Sequence, residues 1–129
     1  MKIENIKFKA KRLDNGEWVE GNLRTSKSGN AMIIPIEYSG TFPVDPSTVC
    51  QYTGMKDSEG NEIWEGDILH NINSLNRYTI MYSEFGAFFM RKNGTKDLDM
   101  YLFELAEKDK CLTFFKVIGN KFDKEGGKA

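Results

Sequence analysis

The residues best suited to chemistry lie in mid-chain. Asp57, Glu59, Glu62, Glu65 and Asp67 fall within eleven positions. Clustered carboxylate oxygens suit a hard cation such as Ca²⁺ or Mg²⁺, and two carboxylates held together suit proton transfer. The spacing misses the calcium-loop template, because Gly60 stands fourth from Asp57 where that loop needs its glycine sixth. A solvated charged loop is the plainer reading, and a metal-dependent hydrolase built on these side chains ranks last among the functions considered. His70 is the only histidine. No Cys or His stands at ligand spacing from it, so a structural place is expected. Cys50 and Cys111 are the only cysteines, and in a chain with no apolar leader they are expected to be reduced core thiols. The phosphate-cradling glycine patterns and the G-x-S-x-G nucleophile elbow do not occur. The sequence therefore points to no catalytic residue, no metal ligand set, no cofactor and no small-molecule substrate.

A second group of residues suits recognition. Lys7, Lys9, Lys11 and Arg12, with Lys2 upstream, form a basic stripe that could touch phosphates. Phe85, Phe88 and Phe89 cluster beside Arg91, and exposed aromatics next to cations can stack bases or anchor a protein. Phe88 and Arg91 join the stripe as candidate nucleic-acid contacts. Core packing and a solvated strand face are the plainer readings of both groups. The formal net charge of −1, from 18 basic and 19 acidic side chains, lacks the basic excess of a general DNA-coating protein or of polybasic membrane docking. The longest apolar run, residues 31–36, contains Pro35 and falls far short of the roughly 20 residues of a membrane span. A cytoplasmic protein without a membrane partner is expected.

The elements that must position these residues are mostly strands. Ile6, Phe8 and Ala10 alternate with Lys7, Lys9 and Lys11, which predicts a half-buried strand. Asp14-Asn15-Gly16 turns the chain into a second arm, residues 18–23. Residues 32–36 form a short strand that lies at an edge or stops at Pro35. Residues 37–48 read as loop or crossover, with a helical turn opening at Asp45-Pro46-Ser47-Thr48. Residues 49–52 form a short strand, residues 54–62 a loop or hairpin tip, and residues 63–70 a strand interrupted at Glu65-Gly66-Asp67. Two further strands, 78–82 and 86–91, precede a turn at Lys92-Asn93-Gly94-Thr95. Leu98, Tyr101, Leu102 and Leu105 fit helical spacing, so at most one short helix is expected there. A strand over 113–118 ends at Gly119-Asn120, and the small polar tail 124–129 is expected to be disordered. Seven or eight short strands with glycine-rich turns predict a mostly β chain, either a barrel or a pair of curled sheets.

Between Val44 and Ile68 the residues follow a longer pattern. Gln51-Tyr52-Thr53-Gly54-Met55-Lys56-Asp57 continues through Gly60, Glu62-Ile63-Trp64-Glu65-Gly66-Asp67 and Ile68. This resembles the YopX family of phage and prophage proteins, whose hallmark is Q-Y-T-G-[LM]-K-D-x-x-G-x-E-I-[YFW]-E-G-D-[IV]. Trp18-Val19-Glu20-Gly21-Asn22-Leu23 looks like the family's early W-x-x-G-x-L segment. Val117-Ile118-Gly119-Asn120, followed by Phe122-Asp123, looks like its closing element. The resemblance implies an N-terminal β region over 1–53 and an SH3-like barrel over 54–123, in the cytoplasm of a bacterial host. It implies no activity, cofactor or substrate. Gln51, Tyr52, Thr53, Gly54, Asp57, Gly60, Ile63, Trp64, Glu65, Gly66 and Asp67 are the motif positions, with either a structural or a binding role. Gly54, Gly60 and Gly66 would reverse the chain, and Gln51, Thr53, Asp57 and Asp67 would bond loop backbone. The function expected is a non-catalytic protein-interaction module that self-associates, with nucleic acid as the alternative partner.

Overall fold

The computed structural model describes residues 2–37, 40–95, 100–105 and 111–123. The expected disordered tail, 124–129, and Leu98 of the expected helix lie outside these residues. The chain divides into two compact units, Met1–Tyr52 and Thr53–Ala129.

In the first unit, β1 (Phe8–Lys11), β2 (Trp18–Thr25), β3 (Ala31–Ile34) and β4 (Phe42–Val44) pair antiparallel in that order. The β1–β2 turn forms as its residues predict, with Asn15 Oδ1 accepting from the Glu17 amide at 2.9 Å. Strand alternation sends Ala10, Ala31, Ile33 and Val44 into a small core, with Phe8, Val19, Leu23 and Val49 packed against it. Complete burial of a side chain such as Ile33 is worth roughly 2 kcal/mol. Gly21 is required by proximity: a Cβ there would overlap the backbone carbonyl of Ile34.

β3 stops before Pro35, but the expected loop over 37–48 contains a strand, β4. Pro43 sits inside it opposite Met32. Its missing amide is harmless because β4 is the outer strand of its sheet. The end of β4 turns back to the end of β1: Arg12 and Val44 form a single bridge, and the Leu13 amide donates to Pro43 O at 3.0 Å. The helical turn Pro46–Thr48 follows, capped by Asp45, whose Oδ1 accepts from the Ser47 amide at 3.0 Å.

β5 (Cys50–Asp57) begins against β1, pairing Cys50 with Lys9 and Gln51 with Phe8. It runs on into the second unit, where the first four residues of the expected loop, Gly54 to Asp57, are strand. There β5 pairs with β6 (Glu62–Trp64) and, in parallel, with β11 (Cys111–Leu112). The second sheet is an antiparallel run of five strands, ordered β10 (Met100–Tyr101), β9 (Phe88–Lys92), β8 (Arg77–Tyr82), β7 (Asp67–Asn71) and β12 (Phe115–Asn120). Ile63, Leu69, Ile80, Met90, Leu102, Leu112 and Phe115 form the second core.

The architecture of the described residues is mostly β, with two sheets and one short helix, α1 (Leu102–Leu105). The expected barrel does not close among the described residues. β10 is only two residues long before the chain turns helical and buries Leu102, which leaves β10 and β12 as separate edges. Among the described residues the strands number twelve, above the expected seven or eight, because several are only two or three residues long. The last strand also sits later than expected, and Gly119 and Asn120 lie within it rather than ending it. Among the described residues no helix is long and apolar enough to cross a membrane.

Candidate functional site

The mid-chain motif supplies two buried carboxylates that its acidic composition conceals. Asp57 ends β5 and is wholly buried. Its Oδ1 accepts from the amides of Glu59 (2.9 Å) and Asn61 (2.8 Å). Its Oδ2 accepts from Asn61 Nδ2 (3.2 Å) and from the Val117 amide of β12 (2.9 Å). Burial alone would raise the Asp57 carboxyl. The Val117 and Asn61 amides, the Asn61 side chain and the Glu59 amide outweigh it and hold the group below the usual carboxylate range. Four bonds fill the acceptor sites of a carboxylate. Asp57 therefore closes the 57–61 turn, in which the Gly60 amide donates to Asp57 O at 3.1 Å, and fastens that turn to the last strand.

Asp67 does the same at the next corner. It is almost completely buried at the start of β7. Its Oδ2 accepts from the Trp64 amide at 2.7 Å, and its Oδ1 accepts from Asn120 Nδ2 at 2.9 Å. Asn120 Nδ2 also donates to Glu65 O at 3.3 Å, while Asn120 Oδ1 accepts from the Phe122 amide at 2.9 Å. Gly66 lies between, at φ 86°. A Cβ there would stand 3.2 Å from Asn120 Nδ2, so both conformation and space favour glycine. Thr53 binds the two arms of the motif hairpin: its hydroxyl donates to Ile63 O at 2.6 Å and accepts from the Met55 amide at 3.1 Å. Ile63 and Trp64 are buried, and Gly54 lies inside β5. In the first unit, Gln51 pairs with Phe8, and Tyr52 is buried with the Lys7 ammonium 4.8 Å from its ring centroid.

The remaining acidic side chains do not converge. Glu59 pairs with Lys116 at 3.6 Å on the surface. Among the described residues no three His, Cys, Asp or Glu side chains come together in a way that could hold a metal ion. His70 is half-buried in β7. Both cysteines are free thiols: Cys50 donates to Thr48 O at 3.3 Å, and Cys111 donates to Asp57 O at 3.1 Å.

The basic stripe is present but engaged. Lys9 and Lys11 both lie over the Trp18 ring, at 4.6 and 5.0 Å. Lys7 reaches Glu20 at 3.8 Å. Arg12 makes a two-point pair with Asp14, at 3.0 and 2.6 Å, and lies 4.3 Å from the Phe42 ring centroid. A tryptophan face already covered by ammonium groups is a poor platform for a base. Strand alternation puts the candidate contacts Phe88 and Arg91 on opposite faces of β9. Phe88 packs against the second core and Tyr82, whereas Arg91 lies over Phe89, which contacts Tyr101.

Sequence reasoning missed Asn120 and the Val117 amide as partners of the motif carboxylates. The available signal was that the closing V-I-G-N element accompanies the long motif. No curated protein matches the chain. The family model described as YopX protein matches residues 7–125, a span that contains the motif, the corner it folds into and the closing element bonded to it. The chain therefore belongs to the YopX protein family.

Proposed function

We propose that the chain is a non-catalytic interaction module of a phage or prophage, working in the bacterial cytoplasm through protein contacts, its own copies included. The motif carboxylates support this reading by being committed to internal bonds rather than to an open site. The observation that carries it is the turn between β7 and β8. Asn71 Oδ1 accepts from the amides of Asn73 and Ser74, both at 2.9 Å, and the Leu75 amide donates to Asn71 O at 2.9 Å. These bonds hold Leu75 at φ 65°, a left-handed conformation that costs a leucine about 1 kcal/mol. Leu75 is nonetheless 67 % exposed, beside Ile72 at 47 % and Phe114 at 52 %. The Ile72 amide donates to Phe114 O at 2.9 Å, which keeps these two apolar residues together. A rigid polar turn that presents large apolar side chains suits protein contact better than solvent.

Size-exclusion chromatography with light scattering tests this reading. The wild-type chain is expected to run as an oligomer, and Leu75→Asn is expected to shift it toward monomer. Asparagine tolerates the left-handed backbone, so the same variant should melt no lower than wild type. A wild-type chain that is strictly monomeric at high concentration, or an assembly indifferent to Leu75→Asn, would count against the reading.

A further inference from the structure

A cleft of about 270 Å³ opens beside the 92–95 turn of the second unit. Arg91, Lys92 and Lys121 line it together with Thr79, Asn93 and Thr95, and among the described residues no carboxylate does. Three cations on one small cleft stand out in a chain whose formal net charge is −1. The topology brings Lys121, just after β12, beside Arg91 and Lys92 of β9. Arg91 lies opposite Thr79 in the β8–β9 ladder, Thr79 opposite Ile68, and Ile68 opposite Gly119, two residues before Lys121. The Lys121 amide donates to Gly66 O at 2.8 Å, which fixes that corner.

The polar groups of the cleft are arranged as donors. Thr79 Oγ1 donates to Asn93 Oδ1 at 2.8 Å, leaving the Asn93 amide nitrogen to donate. Among the described residues none of the three cations forms an ion pair. Arg91 Nε is shielded from solvent and has no hydrogen-bond partner among them. The Phe89 ring lies 5.6 Å from the guanidinium carbon, but no described acceptor offsets the desolvation of Nε, and an oxyanion in the cleft would give the guanidinium the charge-assisted hydrogen bonds it lacks.

We infer that this cleft is an anion site that takes a phosphate group, with Arg91 and Lys121 holding its charge and Lys92 and Asn93 adding donors. The site is independent of the apolar turn invoked above. A phosphate could arrive on a free nucleotide or on a nucleic-acid strand, since the recognised chemistry is the same.

Amide NMR on the full chain tests the site. Inorganic pyrophosphate is added at low salt, against sodium chloride of equal ionic strength. Saturable shifts confined to residues 79, 91–95 and 121 are expected, with a dissociation constant of about 1 mM or tighter. Arg91→Gln and, independently, the exposed Lys121→Glu should each weaken binding about tenfold or more. Lys121→Glu lies on the surface, so it keeps the test valid if Arg91→Gln does not fold. A 5′-mononucleotide and a single-stranded oligonucleotide form two further arms. Equal affinities assign the site to a nucleotide phosphate, and tighter, steeply salt-dependent binding of the oligonucleotide assigns it to a strand. No saturable shift, shifts scattered over all surface lysines, or affinity unchanged by Lys121→Glu would overturn the proposal.

Discussion

The two units solve the problem of a small β core differently. The first, Met1–Tyr52, is built around small side chains, Ala10 and Ala31 among them, and relies on close backbone approach where Gly21 meets Ile34. Its charged groups stay near the surface, stacked on rings or paired with neighbours. The second, Thr53–Ala129, has the bulkier core and buries Asp57, Asp67 and Asn120 within its corners. A buried carboxylate is tolerated only when its acceptor sites are filled, and here backbone amides and the side-chain amides of Asn61 and Asn120 bond to them. The comparison teaches that the acidic motif belongs to the unit whose stability is polar and long-range, whereas the basic stripe decorates the unit whose stability is steric.

The sharpest way to break this contrast is Asp57→Ala. It orphans the Val117, Asn61 and Glu59 amides at once and should destabilise the second unit by about 3 kcal/mol, read as a lower urea midpoint and faster amide exchange in β12. A loss under 1 kcal/mol would mean that the carboxylate is not the fastening described. The steric counterpart is Gly21→Ala, which forces β2 away from β3 and should cost about 2 kcal/mol, with exchange rising first in those two strands. Acid sharpens the comparison further. Asp57 is held below its unfolded value of roughly 3.9, so its stabilisation is fully present above about pH 4 and is lost as pH falls through the folded value. Asp57→Asn should thus be weaker than wild type by about 1 to 2 kcal/mol at neutral pH, and the gap should narrow near pH 3. Equal gaps at both pH values would contradict this assignment. The smallest effect belongs to the stripe: Lys9→Ala or Lys11→Ala should cost about 0.5 kcal/mol each, with a change in Trp18 fluorescence. A loss as large as that of Asp57→Ala would remove the distinction between the units.

Local signals were readable in the sequence because their causes are local. Alternation placed β1, Asn15-Gly16 placed the first turn, and Asp45-Pro46 placed the helical turn. Pro35 marked the end of β3. The failures share a different cause. Whether Pro43 can sit in a strand depends on which strand lies outside it, and that is a property of the whole sheet. The Asp57 and Asp67 side chains look like any solvated acids until Val117 and Asn120, more than fifty positions away, are seen to bond them. Barrel closure turned on two residues of β10 giving way to helix, a competition between neighbouring segments that periodicity cannot weigh. Arg91 was singled out, but its companion Lys121 follows β12, which only the folded ladders bring to that side of β9.

The bond between Asp67 and Asn120 also sets an order of events during synthesis. A ribosome that has released the whole Gln51–Ile68 motif has not yet delivered the amide that closes its second corner, and Asp57 likewise waits for Val117. Until about fifty further residues emerge, both acids must stay hydrated, and the motif hairpin has only its local bonds to hold it. Maturation of this half of the molecule is therefore timed by its last strand, at a rate set by chain elongation and long-range closure rather than by the hairpin itself.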